Sequence, residues 1–216
     1  MSKEQTGCCR RSKGCKGQIL KSKATLQECK GRKKSLCLTW IDFHKAVDNV
    51  LHSWIIKSFL LFGINNKIIT FIKKIMSYWK TSMRLRTEGK VIEREDLEIQ
   101  HGIFQEHSLS PLLYCISLIP LTEQLNKLNA GYKEHKTYTK ISHLLYVDSL
   151  KLIRKTQEEL QKQVQVDRTF SDDIHMVFGV HRGAKTVLKT VKLVHSHNLM
   201  LDFKSDTGKN VQVPRD

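Results

Sequence analysis

The chain lacks any run approaching the ~18–20 uninterrupted apolar residues of a membrane span, and it lacks a charged-then-apolar leader. Those absences exclude a spanning helix and a secretory route as readings of this sequence, so the expected compartment is the cytosol or nucleus. Cysteine is present six times but never as a C-x₂-C pair, and no nearby histidine completes a zinc pattern around Cys8, Cys9, Cys15 and Cys29. In a reducing compartment these are thiols, no disulfide partner is expected, and packing must supply stability. Cys37 and Cys115 fall in apolar runs and read as core. There is no internal repeat and no low-complexity tract. Acid is scarce too, with 21 Asp and Glu against 37 Lys and Arg, a formal net charge of +16 and a pI near 9.7. Such a balance argues for a polyanionic partner, because each cation that meets a phosphate releases condensed counterion.

What is present fits one core. A chain of 216 residues buries roughly 70% of its unfolded surface, with a second small subdomain possible. The basic excess is concentrated at the start: between Lys3 and Lys34 eleven Lys and Arg face two Glu, a net charge of +9. Either this block is a solvated basic tail or it contacts nucleic-acid backbone, with Arg10, Arg11, Lys13 and Lys16 the foremost candidates.

Periodicity places the elements. A helix is expected from Gln18 to Cys29. Leu36 to Phe43 reads as a strand that delivers Asp42 at its end and then turns helical. Trp54 to Phe62 and Lys67 to Trp79 read as helices separated by Gly63 and Asn65-Asn66, and Ile68, Phe71, Ile72, Ile75 and Trp79 form one expected buried stripe. Ser82–Thr87 and Val91–Ile99 flank Glu88-Gly89-Lys90 as a hairpin. Ser110-Pro111 opens an apolar helix expected to run to about Leu128. His143–Leu145 and Leu150–Ile153 flank Tyr146-Val147-Asp148-Ser149 as a second hairpin, whose Asp148 is either a turn residue or a carboxylate displayed for a metal ion. A helix follows from Thr156 to about Val177, with Leu160, Val164, Asp167 and Phe170 on one face. Lys185–Thr190 and Leu199–Phe203 read as strands.

Three segments, in this order, decide between those readings of Asp148. They are the Asp42 strand (Leu36 to Val50), the loop Gly102 to Pro111, and the Asp148 hairpin. Together they resemble motifs A, B and C of reverse transcriptases, in particular the palm of non-long-terminal-repeat retrotransposons, whose usual forms read (I/L)DFxKAFD, GxxQGxSLSP and (L/M)YxDD. The resemblance extends from Glu4-Gln5-Thr6-Gly7-Cys8, similar to a template-gripping part of the fingers, to Phe178–Ala184, which looks like motif D. It implies an RNA-directed DNA polymerase that takes an RNA template, a DNA primer and deoxynucleotide triphosphates. It also implies two Mg²⁺ ions held by Asp42 and Asp148, with Val47, Gln105, Glu106, Ser108 and Arg182 around the nucleotide and template.

The chain departs from the family's pattern where that chemistry would occur. Ser149 stands in place of a third carboxylate, and if that ligand supplied about 4 kcal/mol in the transition state its loss would cost about a thousandfold in rate. Glu106 replaces a Gly whose missing Cβ lets backbone approach template and nucleotide, and it brings negative charge toward phosphates. Val47 stands where Phe or Tyr usually lies under the sugar. Arg182 stands where Lys is usual and holds its proton too tightly to donate it. The expected fold is an α+β polymerase palm, a split-βαβ, ferredoxin-like antiparallel sheet with helices on one face. Residues 1–35 would be partial fingers, 36–203 the palm with a finger insertion at about 54–100, and 204–216 a tail, with no thumb. The expected function is a catalytically impaired reverse transcriptase domain; a non-catalytic nucleic-acid-binding protein or an inert retrotransposon remnant is the alternative.

Overall fold

The structure, a computed structural model, describes residues 3–9, 12–87, 90–104, 107–135, 140–178, 184–189 and 192–196. Its centre is β1 (Leu36–His44), where the period-2 pattern is apolar on both sides. Cys37, Ile41 and Phe43 face one core, and Leu36 and Leu38 face another. Full burial of such side chains is worth roughly 1.5–3 kcal/mol each, so a strand apolar on both faces is driven to the middle of a sheet. Accordingly β1 lies between β7 (Ser149–Arg154) and β9 (Ala184–Lys189). The sheet continues outward to β6 (His143–Tyr146) on one side and β10 (Lys192–Ser196) on the other, giving the order β10-β9-β1-β7-β6. Every one of these pairings is antiparallel, and β8 (Val177–Phe178) pairs with the end of β1.

Most helices contribute to the core that holds Cys37, Ile41 and Phe43. They are α2 (Ala46–Asn49), α3 (His52–Leu61), α4 (Asn66–Ser77), α5 (Ser110–Ser117), α6 (Ile119–Lys127) and α7 (Gln157–Asp173). The Leu36–Leu38 face is covered in part by α1 (Gly14–Gly31), whose Cys29 and Leu26 join Tyr132, Leu144, Ile153 and Leu188. Two minor ribbons stand apart, β2 (Lys80–Thr87) with β3 (Lys90–Glu98), and β4 (Tyr132–Lys133) with β5 (Lys140–Ile141). This is the α+β palm architecture expected from the sequence.

Local chemistry explains the boundaries. Asn65 caps α4 by accepting a hydrogen bond from the Lys67 amide at 2.9 Å. Thr156 caps α7 through the Glu159 amide at 3.2 Å, and Leu160, Val164, Asp167 and Phe170 are buried along α7 as the spacing required. Two expectations are corrected. The helix opened by Pro111 breaks at Leu118 into α5 and α6, because Pro120 has no N–H and disfavours helical geometry before it. The buried stripe of α4 runs through Ile69, Ile72 and Met76 and continues to Trp79 just past the helix end, while Ile68 and Phe71 are exposed. The helix is apolar on two adjacent faces, and the sequence cannot say which one meets the core. The expected strand Leu199–Phe203 lies outside the described residues.

Candidate active site

Asp42 and Asp148 converge, although 106 positions separate their numbers. In the β1–β7 ladder Asp42 is paired directly with Ser149, and Asp148 precedes Ser149 in the two-residue turn between β6 and β7. Asp148 is half-buried, and burial pushes its carboxyl up from the usual range. The negative charge of Asp42 pushes the same way, while hydrogen bonds from its own backbone and from the Ser149 side chain oppose the rise. Ser149 is exposed at the mouth of this pair. Beneath it lies Tyr114, fully buried with its hydroxyl unpartnered. The phenol is held well above its ordinary range by burial, then by Asp148, with Asp167 and Asp42 adding smaller contributions.

The turn is strained and clamped. Val147 has φ 53°, a left-handed conformation that a β-branched residue rarely adopts. The buried Gln5 holds it from both sides: its Oε1 accepts from the Val147 amide at 3.1 Å and from the Gly7 amide at 2.8 Å, and its Nε2 donates to the Val147 carbonyl at 3.2 Å. The Gln18 Nε2 donates in turn to the Glu4 carbonyl, the Thr6 hydroxyl and the Leu145 carbonyl at 3.0, 2.8 and 3.2 Å. Two backbone bonds, Thr6 N–H to Leu145 O and Leu145 N–H to Glu4 O, complete the seam. A Cβ on Gly7 would stand 2.8 Å from both Cγ2 and N of Val147, so only glycine fits there. Residues 4–7 therefore brace the Asp148 turn. Sequence reasoning missed Gln5 and Gln18 because their partners are 142 and 127 positions away.

The Gly102 loop is laced to the segment after Asp42. Gly102 N–H donates to Val50 O at 2.8 Å and Ile103 N–H to Val47 O at 3.0 Å. The His52 ring nitrogen lies 2.7 Å from Gly102 O. Gly102 has φ 84°, and a Cβ there would meet the Asp48 carbonyl at 2.8 Å. The half-buried Val47 is thus tied to the loop, and Ser108 is exposed beyond it. Lys13 and Lys16 are exposed at the start of α1, and Lys13 lines a cleft of about 470 Å³ with Lys3, Gln5, Thr6 and Lys21. Arg10, Arg11, Gln105, Glu106 and Arg182 lie outside the described residues.

The donor set does not fit a pair of divalent ions. Mg²⁺ needs several converging hard oxygens, and here two carboxylates meet a neutral hydroxyl. Among the described residues no group of three or more His, Cys, Asp or Glu could hold a metal ion. No described helix is long and apolar enough to cross a membrane.

The model of the reverse transcriptase (RNA-dependent DNA polymerase) family matches residues 4–182. Among solved structures, apo telomerase from Candida tropicalis truncated from its C-terminal domain is similar at 12% identity and a TM-score of 0.58, over 89% of this chain and 41% of that one. Apo telomerase from the same organism follows at 13% identity and a TM-score of 0.54, over 89% of this chain and 37% of that one. Telomerase from Candida albicans in complex with a TWJ fragment of telomeric RNA is similar at 10% identity and a TM-score of 0.51, covering 85% and 34% respectively. At such identities the likeness concerns the fold, and the chain spans about two fifths or less of those proteins. No curated protein sequence matches the chain significantly.

Proposed function

The chain belongs to the reverse transcriptase (RNA-dependent DNA polymerase) family, and from that premise we propose a palm of non-long-terminal-repeat retrotransposon descent that holds RNA but is impaired in polymerisation. One observation carries the reading: across the ladder from Asp42 stands Ser149, where the family places a carboxylate. With Asp42 and Asp148 alone, the developing charge of nucleotidyl transfer lacks the ligands that would anchor a Mg²⁺ pair. Glu106 and Val47 act in the same direction, the first by charge near the triphosphate and the second by loosening exclusion of a 2′-hydroxyl. Residues 1–35 and the insertion at about 54–100 serve as fingers around the palm, and the basic start of α1, with Lys13 and Lys16, meets phosphate.

A second reading, an inert remnant, is favoured by two buried groups that selection for stability would oppose. Asp167 has both carboxylate oxygens unpartnered, and Arg154 has two unpartnered nitrogens. Primer extension on an RNA template with Mg²⁺ or Mn²⁺ tests the impairment, and anisotropy with labelled RNA separates binder from remnant. The unaltered chain should not extend above background, and Ser149→Asp alone should recover little. Glu106→Gly with Ser149→Asp should give distributive, template-dependent incorporation. Robust extension by the unaltered chain, abolished by Asp148→Ala, would overturn the reading.

A further inference from the structure

Helix α4 carries two apolar stripes of identical spacing. Ile69, Ile72 and Met76, with Trp79 just past the helix end, are buried in the main core. Ile68, Phe71, Ile75 and Tyr78 repeat the same intervals one residue earlier, about 100° round the helix. Together the stripes make an apolar arc of about 180°, where a helix packed on one side needs only about 100°. In the second stripe Ile75 is partly buried, but Ile68, Phe71 and Tyr78 are 51, 59 and 71% exposed. The short connector through Gly63 sets the last turn of α3 beside the first turn of α4, and there Leu60 and Leu61 are also more than half exposed. Five large apolar side chains on one helical pair exceed the scattered single exposures of an ordinary surface.

The rim is of one sign. From Asn49 to Thr87 the sequence contains no Asp or Glu but seven Lys and Arg. Lys57, Lys67, Lys73 and Lys74 are exposed on α3 and α4, and the ion pairs among the described residues engage none of them. The neighbouring hairpin differs, since Lys80 pairs with Asp96 and Arg84 with Glu93 within the ribbon. On α4, Lys67 and Lys74 flank the exposed stripe on its outer side. We propose that the outward face of the α3–α4 pair docks an acidic amphipathic helix of another polypeptide. The stripe from Ile68 to Tyr78 is about 15 Å long, which matches three turns of such a helix. Its apolar residues would cover Leu60, Leu61, Ile68, Phe71 and Tyr78, and its carboxylates would meet the lysines. Nucleic acid would satisfy the charge and could stack on Phe71 and Tyr78, but it offers no aliphatic partner for Leu60, Leu61 and Ile68.

The test uses the full chain and a labelled 18-residue synthetic peptide with Leu along one helical face and Glu elsewhere. A scrambled peptide of equal composition controls for the protein's net charge. Anisotropy should show at least tenfold tighter binding of the amphipathic peptide than of the scrambled one. Ile68→Ser with Phe71→Ser should erase that margin without lowering Tm. Lys67→Gln with Lys74→Gln should weaken binding about threefold and flatten its salt dependence, and Ile92→Ser on the exposed hairpin should change nothing. Equal binding of the two peptides, or indifference to the α4 variants, would overturn the proposal. So would single-stranded RNA that displaces the peptide and is itself weakened by Phe71→Ser. A dimer dissolved by the α4 variants, with no peptide binding, would assign the face to a second copy instead.

Discussion

Replacing Asp167 by valine should make the protein more stable. Asp167 is fully buried on the sheet-facing side of α7, neither carboxylate oxygen has a hydrogen-bond partner, and burial drives its pKa well above the usual range. Even when protonated, a buried polar group without a partner costs about 1–3 kcal/mol. Valine is close to aspartate in volume and in helix propensity, so relief of that cost is the main change. The expected gain near pH 4, before the pH-dependent part below is added, is about 2 kcal/mol, or about 4–8 °C in Tm for a chain of this size. The pH dependence follows from the sign of the shift. A folded-state pKa above the unfolded one means that the folded protein binds the extra proton, so wild-type stability falls as pH rises from about 4 through the raised folded value. Within that window this one group contributes a slope of up to about 1.4 kcal/mol per pH unit. Asp148, whose pKa is also raised, contributes a slope of the same sign, so the quantity to read is the difference between wild type and variant. Urea melts at pH 5 and pH 7.5 should show the advantage of Asp167→Val growing toward the higher pH. A variant that is less stable than wild type, or whose advantage is flat in pH, would refute the account of Asp167 as an uncompensated carboxyl.

Two more consequences are open to measurement. Gln5→Ala should cost about 2–3 kcal/mol by removing the hydrogen bonds that hold the Val147 turn. Val147→Gly should regain about 1 kcal/mol by relieving the left-handed strain, and the two effects should be non-additive in a double-mutant cycle by thermal melts. For RNA binding, removing the first 34 residues would destroy the brace of residues 4–7, so the informative variant is Lys13→Gln with Lys16→Gln. It should lower the slope of log K against log salt by about 1.4 for a single strand if both lysines meet phosphate, and an unchanged slope would place the contacts elsewhere.

The order of segments from Asp42 to the Asp148 hairpin, and the central place of β1, were legible in the sequence because both rest on local patterns. Leu36 to Phe43 alternates between two apolar faces, and a strand apolar on both sides has to lie inside a sheet. The apolar flanks of Tyr146–Ser149 likewise dictate a hairpin whatever surrounds it, and the stripe of α7 is unambiguous because only one face of that helix is apolar. What the sequence left open was settled by partners remote in the chain. The pairing of Asp42 with Ser149 is a matter of ladder register, and each one-residue slip would turn a different side chain toward the site. Gln5 stood in a segment read for its similarity to a template grip, and its part as a brace became visible only when Val147 was folded against it. On α4 two equivalent stripes were available, and only tertiary packing, with α3 as the neighbouring helix, decided that Ile69, Ile72 and Met76 would be covered while Ile68 and Phe71 face outward. Periodicity gives the faces of an element; which face is buried depends on the surface that packs against it.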